Sequence, residues 1–209
     1  MIWCFGDSFT YGDELDNREK DSWPAVLSTF TDCHVVNYGQ SGASNGWITR
    51  KAIEKCLELK PDLAIVCWSS PNRYDFFKQN IGENARCVCV NPNWAERFSF
   101  VKDLYTQWHQ DSGKMVEWLA TMILLQNFFQ NQNIDYIFAS VFELPGQNCL
   151  DDFEVKKWLD MLDTSRYLGY PDKNFLDWTR NTALGKGGHF LEEGHKRIAE
   201  RMYDYIRNS

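Results

Sequence analysis

Apolar residues in this chain fall into short runs separated by turns rich in glycine, serine and asparagine. Ile2-Trp3-Cys4-Phe5 begins almost at the N-terminus and stops at Gly6, which reads as a short buried strand. Ser22-Trp23-Pro24 then opens a helix, with Ser22 as cap and Pro24 in the first turn, and Val26, Leu27 and Phe30 form its apolar side. His34 to Tyr38 is a second strand. Gly39 to Gly46 is a polar turn, and Ile48, Ala52, Ile53, Cys56 and Leu57 recur at helical spacing until Pro61. Leu63-Ala64-Ile65-Val66-Cys67-Trp68 is apolar throughout, as expected of a central parallel strand covered on both faces. Strand, helix, strand, helix, strand is the pattern of a doubly wound sheet with right-handed crossovers.

That rhythm breaks between Ser69 and Gly113. Arg86 to Val90 reads as a short strand or hairpin edge and Glu96 to Gln110 as a helix, so 70–113 is expected to be an insertion after the third strand, a lid or substrate-selecting element. A long helix runs on through Trp118, Leu119, Met122, Ile123, Leu125, Gln126 and Phe129. Ile134 to Val141 is the next strand, Asp152 to Leu162 a helix, Arg166 to Gly188 a loop-rich stretch, and Leu191 to Ile206 the final helix. With no internal repeat and no long linker, the expectation is one α/β domain over residues 1–209, a three-layer α/β/α sandwich with a central parallel sheet, flavodoxin-like in outline.

Composition narrows the function classes. The 209 residues are 44% hydrophobic and 24% charged, ordinary for a soluble domain with a sizeable core. A net charge of −7 argues against a nucleic-acid partner, whose binding rests on neutralising phosphates. The seven cysteines are an odd number, and Cys4 and Cys67 lie inside predicted strands, so free thiols in a reducing, cytoplasmic setting are expected. Cys87-Val88-Cys89 has the wrong spacing for a zinc knuckle, and no metal or other cofactor is expected. Met1 leads straight into the first strand without a basic leader, and the apolar stretch around Met122–Leu125 is too short to span a bilayer.

Candidate chemistry begins at Asp7-Ser8, directly after the first strand, where open α/β sheets place ligands. Asp and Ser are also common turn residues, and a serine hydroxyl becomes a nucleophile only with a base in reach and donors aimed at the oxyanion. Of the four histidines, His34 starts a strand and His109 lies in the insertion without a partner suggested by spacing. His195 shares a helix face with Ile198, Met202 and Tyr205 and is expected to point inward. His189 precedes that helix and follows Gly187-Gly188, so it is the better base. Gly39 to Gly46 lacks both the dinucleotide fingerprint and the P-loop pattern, which sets aside a nucleotide binder.

Four blocks resemble the SGNH (GDSL-type) hydrolases, in that family's order and over nearly the whole chain. Gly6-Asp7-Ser8-Phe9-Thr10-Tyr11-Gly12 is similar to the first, Asn37-Tyr38-Gly39-Gln40-Ser41-Gly42 to the glycine-bearing second, and Gly188-His189-Phe190-Leu191-Glu192-Glu193-Gly194-His195 to the last. Ser69-Ser70-Pro71-Asn72-Arg73 lies where the asparagine-bearing third block belongs, with Pro71 where the family usually has glycine. The resemblance implies an esterase acting on a small-molecule or glycan ester, a carboxylester or O-acetyl ester, through an acyl-Ser8 intermediate. His189 would be its base, and the Ser8 N–H, the Gly42 N–H and the Asn72 amide its oxyanion donors. Arg73 is the spare cation nearby and could hold an acidic substrate group, or equally form a surface ion pair. One position departs from the pattern: the family's acid usually lies three residues before the histidine, and here that residue is Lys186. Asp177, or Asp172, is the closest upstream acid, and a backbone carbonyl could serve instead. The remaining alternative is an inactive relative that binds a glycan or protein partner.

Overall fold

The computed structural model describes residues 1–77, 87–142 and 151–208. Strand β1 (Ile2–Phe5) is followed by a single helical turn α1 (Ser8–Tyr11), then α2 (Arg18–Asp21), α3 (Trp23–Phe30) and β2 (Val35–Asn37). Helix α4 (Asn45–Glu58) leads to β3 (Leu63–Trp68), and the hairpin strands β4 (Tyr74–Phe77) and β5 (Cys87–Val90) follow. After α5 (Ser99–Asp103) and a π-helical turn (Leu104–Trp108) come the long α6 (Asp111–Asn131), β6 (Asp135–Ser140), α7 (Phe153–Leu159), α8 (Phe175–Trp178) and α9 (Glu192–Asn208).

The central sheet has the order β2-β1-β3-β6 and is parallel throughout, with Cys4 opposite Ile65 and Ile65 opposite Ile137. Because side chains alternate across a strand, Trp3, Phe5, Ala64, Val66, Trp68, Tyr136 and Phe138 share one face, where Ile48 and Ala52 of α4 and Met115 to Phe129 of α6 pack on them. Ile2, Cys4, Ile65, Cys67, Ile137 and Ala139 share the other, covered by Trp23 and Leu27 of α3 and Ile198, Ala199 and Met202 of α9. This is the three-layer α/β/α sandwich read from the sequence.

The insertion forms differently from its reading. The helix expected over Glu96 to Gln110 is interrupted: only Val101 of α5 is buried, and the chain continues as a π turn. β4 and β5 pair antiparallel as a separate two-stranded sheet. Asp75 at its edge accepts from Ser44 and Arg50 of the α4 region and from Cys89. His109 does have partners: Tyr74 Oη at Nδ1, 3.0 Å, and Asp111 Oδ1 at Nε2, 2.9 Å. The insertion is thereby tied to both α4 and α6. Ser22 precedes α3 as expected, but its hydroxyl makes no capping bond.

Among the described residues no helix is long and apolar enough to cross a membrane, and no cluster of three or more His, Cys, Asp or Glu could hold a metal ion. Cys4, Cys33, Cys56, Cys67 and Cys89 are free thiols. Cys149 lies outside the described residues.

Candidate active site

The connection from β1 leads to β2 on one side, whereas β3 lies on the other, so the sheet's topological switch point is at the C-terminal ends of β1 and β3. Asp7 and Ser69 meet there. Asp7 is fully buried, and its carboxylate accepts from the Phe9 N–H at 3.1 Å, capping α1, and from Ser69 Oγ at 2.6 Å. Arg73 Nη1 stands 3.4 Å from the same carboxylate and donates to the Ala43 carbonyl at 2.5 Å. The guanidinium is therefore held in an ion pair, the second of the two readings the sequence offered, here with a buried partner. Asp7 is the buried anchor of the Ser8 turn.

Ser8 is the first residue of α1 and almost wholly buried, yet its hydroxyl has no hydrogen-bond partner among the described residues. Three donors predicted around it are likewise unpaired among the described residues: the Ser8 N–H, the Gly42 N–H and the Asn72 side-chain amide. Gly42 has φ of +73°, a left-handed conformation that glycine adopts without strain, and open space beyond its Cα. Asn72 is held through its backbone, with its N–H donating to Ser70 Oγ and its carbonyl accepting from Tyr105 Oη, while its buried Oδ1 has no partner.

His189 arrives from the other end of the chain, on the loop before α9. Its ring lies 4.9 Å, centroid to centroid, from the ring of Phe9, the residue after Ser8. No hydrogen bond joins His189 to Ser8 in this state. Nδ1 is 2.9 Å from Glu14 Oε2, and Nε2 is 4.0 Å from Asp13 Oδ2, which itself accepts from Ser41 Oγ at 2.5 Å. Glu14 also accepts from the backbone N–H groups of Gly187 at 2.7 Å and His189 at 3.1 Å. Those two backbone donors, and after them the imidazole, pull the Glu14 carboxyl down to about 2. Glu14 is thus an ionised acceptor at neutral pH, so the neutral imidazole carries its proton on Nδ1 and leaves Nε2 with a lone pair.

Sequence reading missed Glu14. Lys186 in the usual acid position signals that the acid must come from elsewhere, but not from where. Asp177, one of the two upstream acids offered there, is engaged elsewhere. It closes a reciprocal capping box with Asn174 at the start of α8 and pairs with Arg180 at 2.8 Å. A carboxylate that satisfies the first turn of its own helix is not the partner of His189 Nδ1. His195 is inward-facing, as read: it is fully buried and accepts the Trp23 N–H at Nδ1, 3.1 Å.

Residues 10–209 match the profile of a family of unknown function, DUF6071, and the chain belongs to that family. No curated protein matches it in sequence. Its fold is shared with solved structures of lipolytic enzymes. A member of the lipolytic G-D-S-L family from Veillonella parvula is 15% identical at a TM-score of 0.53, covering 100% of this chain and 98% of its own. The psychrotrophic esterase EstA from a Pseudoalteromonas species is 15% identical at 0.55, covering 99% and 96%. A lipase/acylhydrolase from Enterococcus faecalis is 13% identical at 0.57, covering 99% and 95%. At these identities the likeness establishes the fold.

Proposed function

We propose that this protein is an SGNH-type serine esterase that hydrolyses a carboxylester or O-acetyl ester on a small molecule, lipid or carbohydrate. Ser8 Oγ attacks the ester carbonyl and passes its proton to His189 Nε2. The Ser8 N–H, Gly42 N–H and Asn72 amide hold the oxyanion that forms. Collapse expels the alcohol, which takes the proton from His189. Water then adds to the acyl-Ser8 by the same route and releases the acid. No cofactor takes part, and a cytoplasmic setting that keeps thiols reduced belongs to the same reading.

The observation that carries this reading is the place of His189, with its ring 4.9 Å from that of Phe9 in the Ser8 turn and its Nδ1 2.9 Å from Glu14 Oε2. The Ser8–His189 hydrogen bond is not formed, which is common in sites that tighten only around a substrate. It also favours a second reading, a fold that binds an ester or glycan without turning it over. A fluorophosphonate probe followed by mass spectrometry separates them. The esterase gives an adduct on Ser8, lost in Ser8→Ala along with p-nitrophenyl acetate hydrolysis, while the melting temperature is nearly unchanged. Undiminished hydrolysis by Ser8→Ala would remove Ser8 from the mechanism.

A further inference from the structure

A Ser–His pair needs the imidazole held in one tautomer, its second ring N–H donated to an acceptor. At position 186, where the SGNH resemblance would place an acid, stands an exposed lysine flanked by Gly185 and Gly187. A lysine ammonium offers donors and no acceptor. The carboxylate that meets His189 Nδ1 comes instead from the loop that carries Ser8. From this geometry we infer that Glu14 is the positioning acid of His189, supplied by the nucleophile's own loop in place of the residue before the histidine.

The surroundings are shaped to that carboxylate. Glu14 holds φ at +68°, a backbone conformation uncommon for a residue with a side chain. From there its two oxygens take three donors, two backbone N–H groups and the imidazole Nδ1–H, so the base is fixed in position and in ring orientation together. A Cβ at Gly185 would lie 2.5 Å from the Glu14 carboxyl carbon, and one at Gly187 would lie 2.9 Å from its Oε2. The two glycines make room for the acid that the loop itself does not carry. Asp13 faces the opposite ring nitrogen at 4.0 Å.

This inference rests on the esterase reading for its kinetic test and not for its structural one. The structural test is the ¹⁵N spectrum of the His189 ring in the wild-type protein. The expected neutral form has Nδ1 protonated and Nε2 unprotonated. A neutral His189 with its proton on Nε2 would overturn the inference whether or not the protein hydrolyses esters. Glu14→Gln should weaken the preference for this tautomer, because the amide can offer Nδ1 a donor as well as an acceptor.

The kinetic test compares Glu14→Gln with Glu14→Asp on p-nitrophenyl acetate. Glu14→Gln should lower kcat by about 10²–10⁴, on the scale seen when the acid of a serine-protease triad becomes its amide. Glu14→Asp, shorter but still charged, should retain more activity than Glu14→Gln. If Glu14 served only to bind the Gly187 and His189 N–H groups, the isosteric Gln would be the milder change. Activity in Glu14→Gln equal to or above that in Glu14→Asp therefore rejects the inference. A wild-type protein with the expected tautomer and no hydrolysis would reject the esterase reading and leave the role of Glu14 in orienting His189 standing.

Discussion

Asn45 and Ser69 hold each other by a reciprocal pair of hydrogen bonds. Asn45 Oδ1 accepts the Ser69 N–H at 2.8 Å, and Asn45 Nδ2 donates to the Ser69 carbonyl at 3.0 Å. Both residues are buried, so the first turn of α4 is fastened to the end of β3 by groups that water cannot replace. Ser69 in turn donates to Asp7, which caps the Ser8 turn. Asn45→Ala leaves a buried N–H and a buried carbonyl without side-chain partners. It should cost about 2–3 kcal/mol, read as a lower urea midpoint at unchanged m-value. Asn45→Asp keeps the acceptor and loses the donor, and should fall between wild type and Asn45→Ala.

His195 makes stability depend on pH. Burial, and secondarily the charge of His189, lower its folded pKa from 6.5 to about 4. The unfolded chain takes up this proton between those two values while the folded chain does not, so stability must fall as pH drops from about 6.5 to about 4. Across the whole window the loss is on the order of 3 kcal/mol. His195→Asn, which can still accept the Trp23 N–H through its amide oxygen, should show a flatter slope of unfolding free energy between pH 7 and 5. Parallel slopes in the two proteins would show that the proton is taken up elsewhere.

Lys186→Asp and Asp177→Asn separate the family's usual acid position and the upstream acid Asp177 from the contact observed. His189 Nδ1 already meets Glu14, and Lys186 is exposed, so Lys186→Asp should leave kcat within about twofold, a change of under about 0.5 kcal/mol in the barrier. Asp177→Asn should lower stability by about 1 kcal/mol through the weakened capping box, with little effect on turnover. A large loss of kcat in Asp177→Asn with unchanged melting temperature would reinstate Asp177.

Gly185→Ala and Gly188→Ala should fail in different ways. At Gly185 the new methyl meets the Glu14 carboxyl, the far end of a flexible side chain, which can swing away from His189. Activity should drop while the melting temperature holds. Gly188 has φ of +86° and open space around it, so an alanine there meets no neighbour but strains the backbone. It should lower stability by about 1 kcal/mol, with turnover less affected than in Gly185→Ala. Calorimetry and p-nitrophenyl acetate kinetics on the pair read both quantities.

The insertion presents an exposed aromatic run. Phe76 neighbours Phe100 at 6.5 Å between centroids, and Phe98 neighbours Phe100 and Trp94 at 6.0 Å. Single changes to alanine at Phe76, Phe98 and Phe100, all more than 40% exposed, should cost little stability. They should reorder kcat/KM across a panel of acyl and sugar esters if this surface selects the substrate. An unaltered ranking would make the insertion a cover only.

The sheet was legible because its strands carry their burial in one dimension: Leu63 to Trp68 is apolar at every position, and only a strand covered twice needs that. The places of Ser8 after β1 and of His189 before α9 were legible because local punctuation fixes them, a glycine after a strand and a glycine pair before a helix. Glu14 was not, because nothing in the residues around it distinguishes a carboxylate that reaches a loop 175 positions away from one that faces water. The partner of Arg73 was not legible for the same reason, since its pairing with Asp7 depends on β1 and β3 being neighbours. His109 shows the opposite case, a partner only two residues on at Asp111 that was overlooked because the eye goes to helical spacing.

Ser8 and Glu14 lie six positions apart, and His189 meets Glu14 from 175 positions further along the chain. On the proposed esterase mechanism, the nucleophile and the acid are present once the first strand and its loop have formed, whereas the base arrives only with the segment before α9. Reactivity of Ser8 toward a fluorophosphonate would then mark molecules in which two distant stretches of the polypeptide have docked on each other.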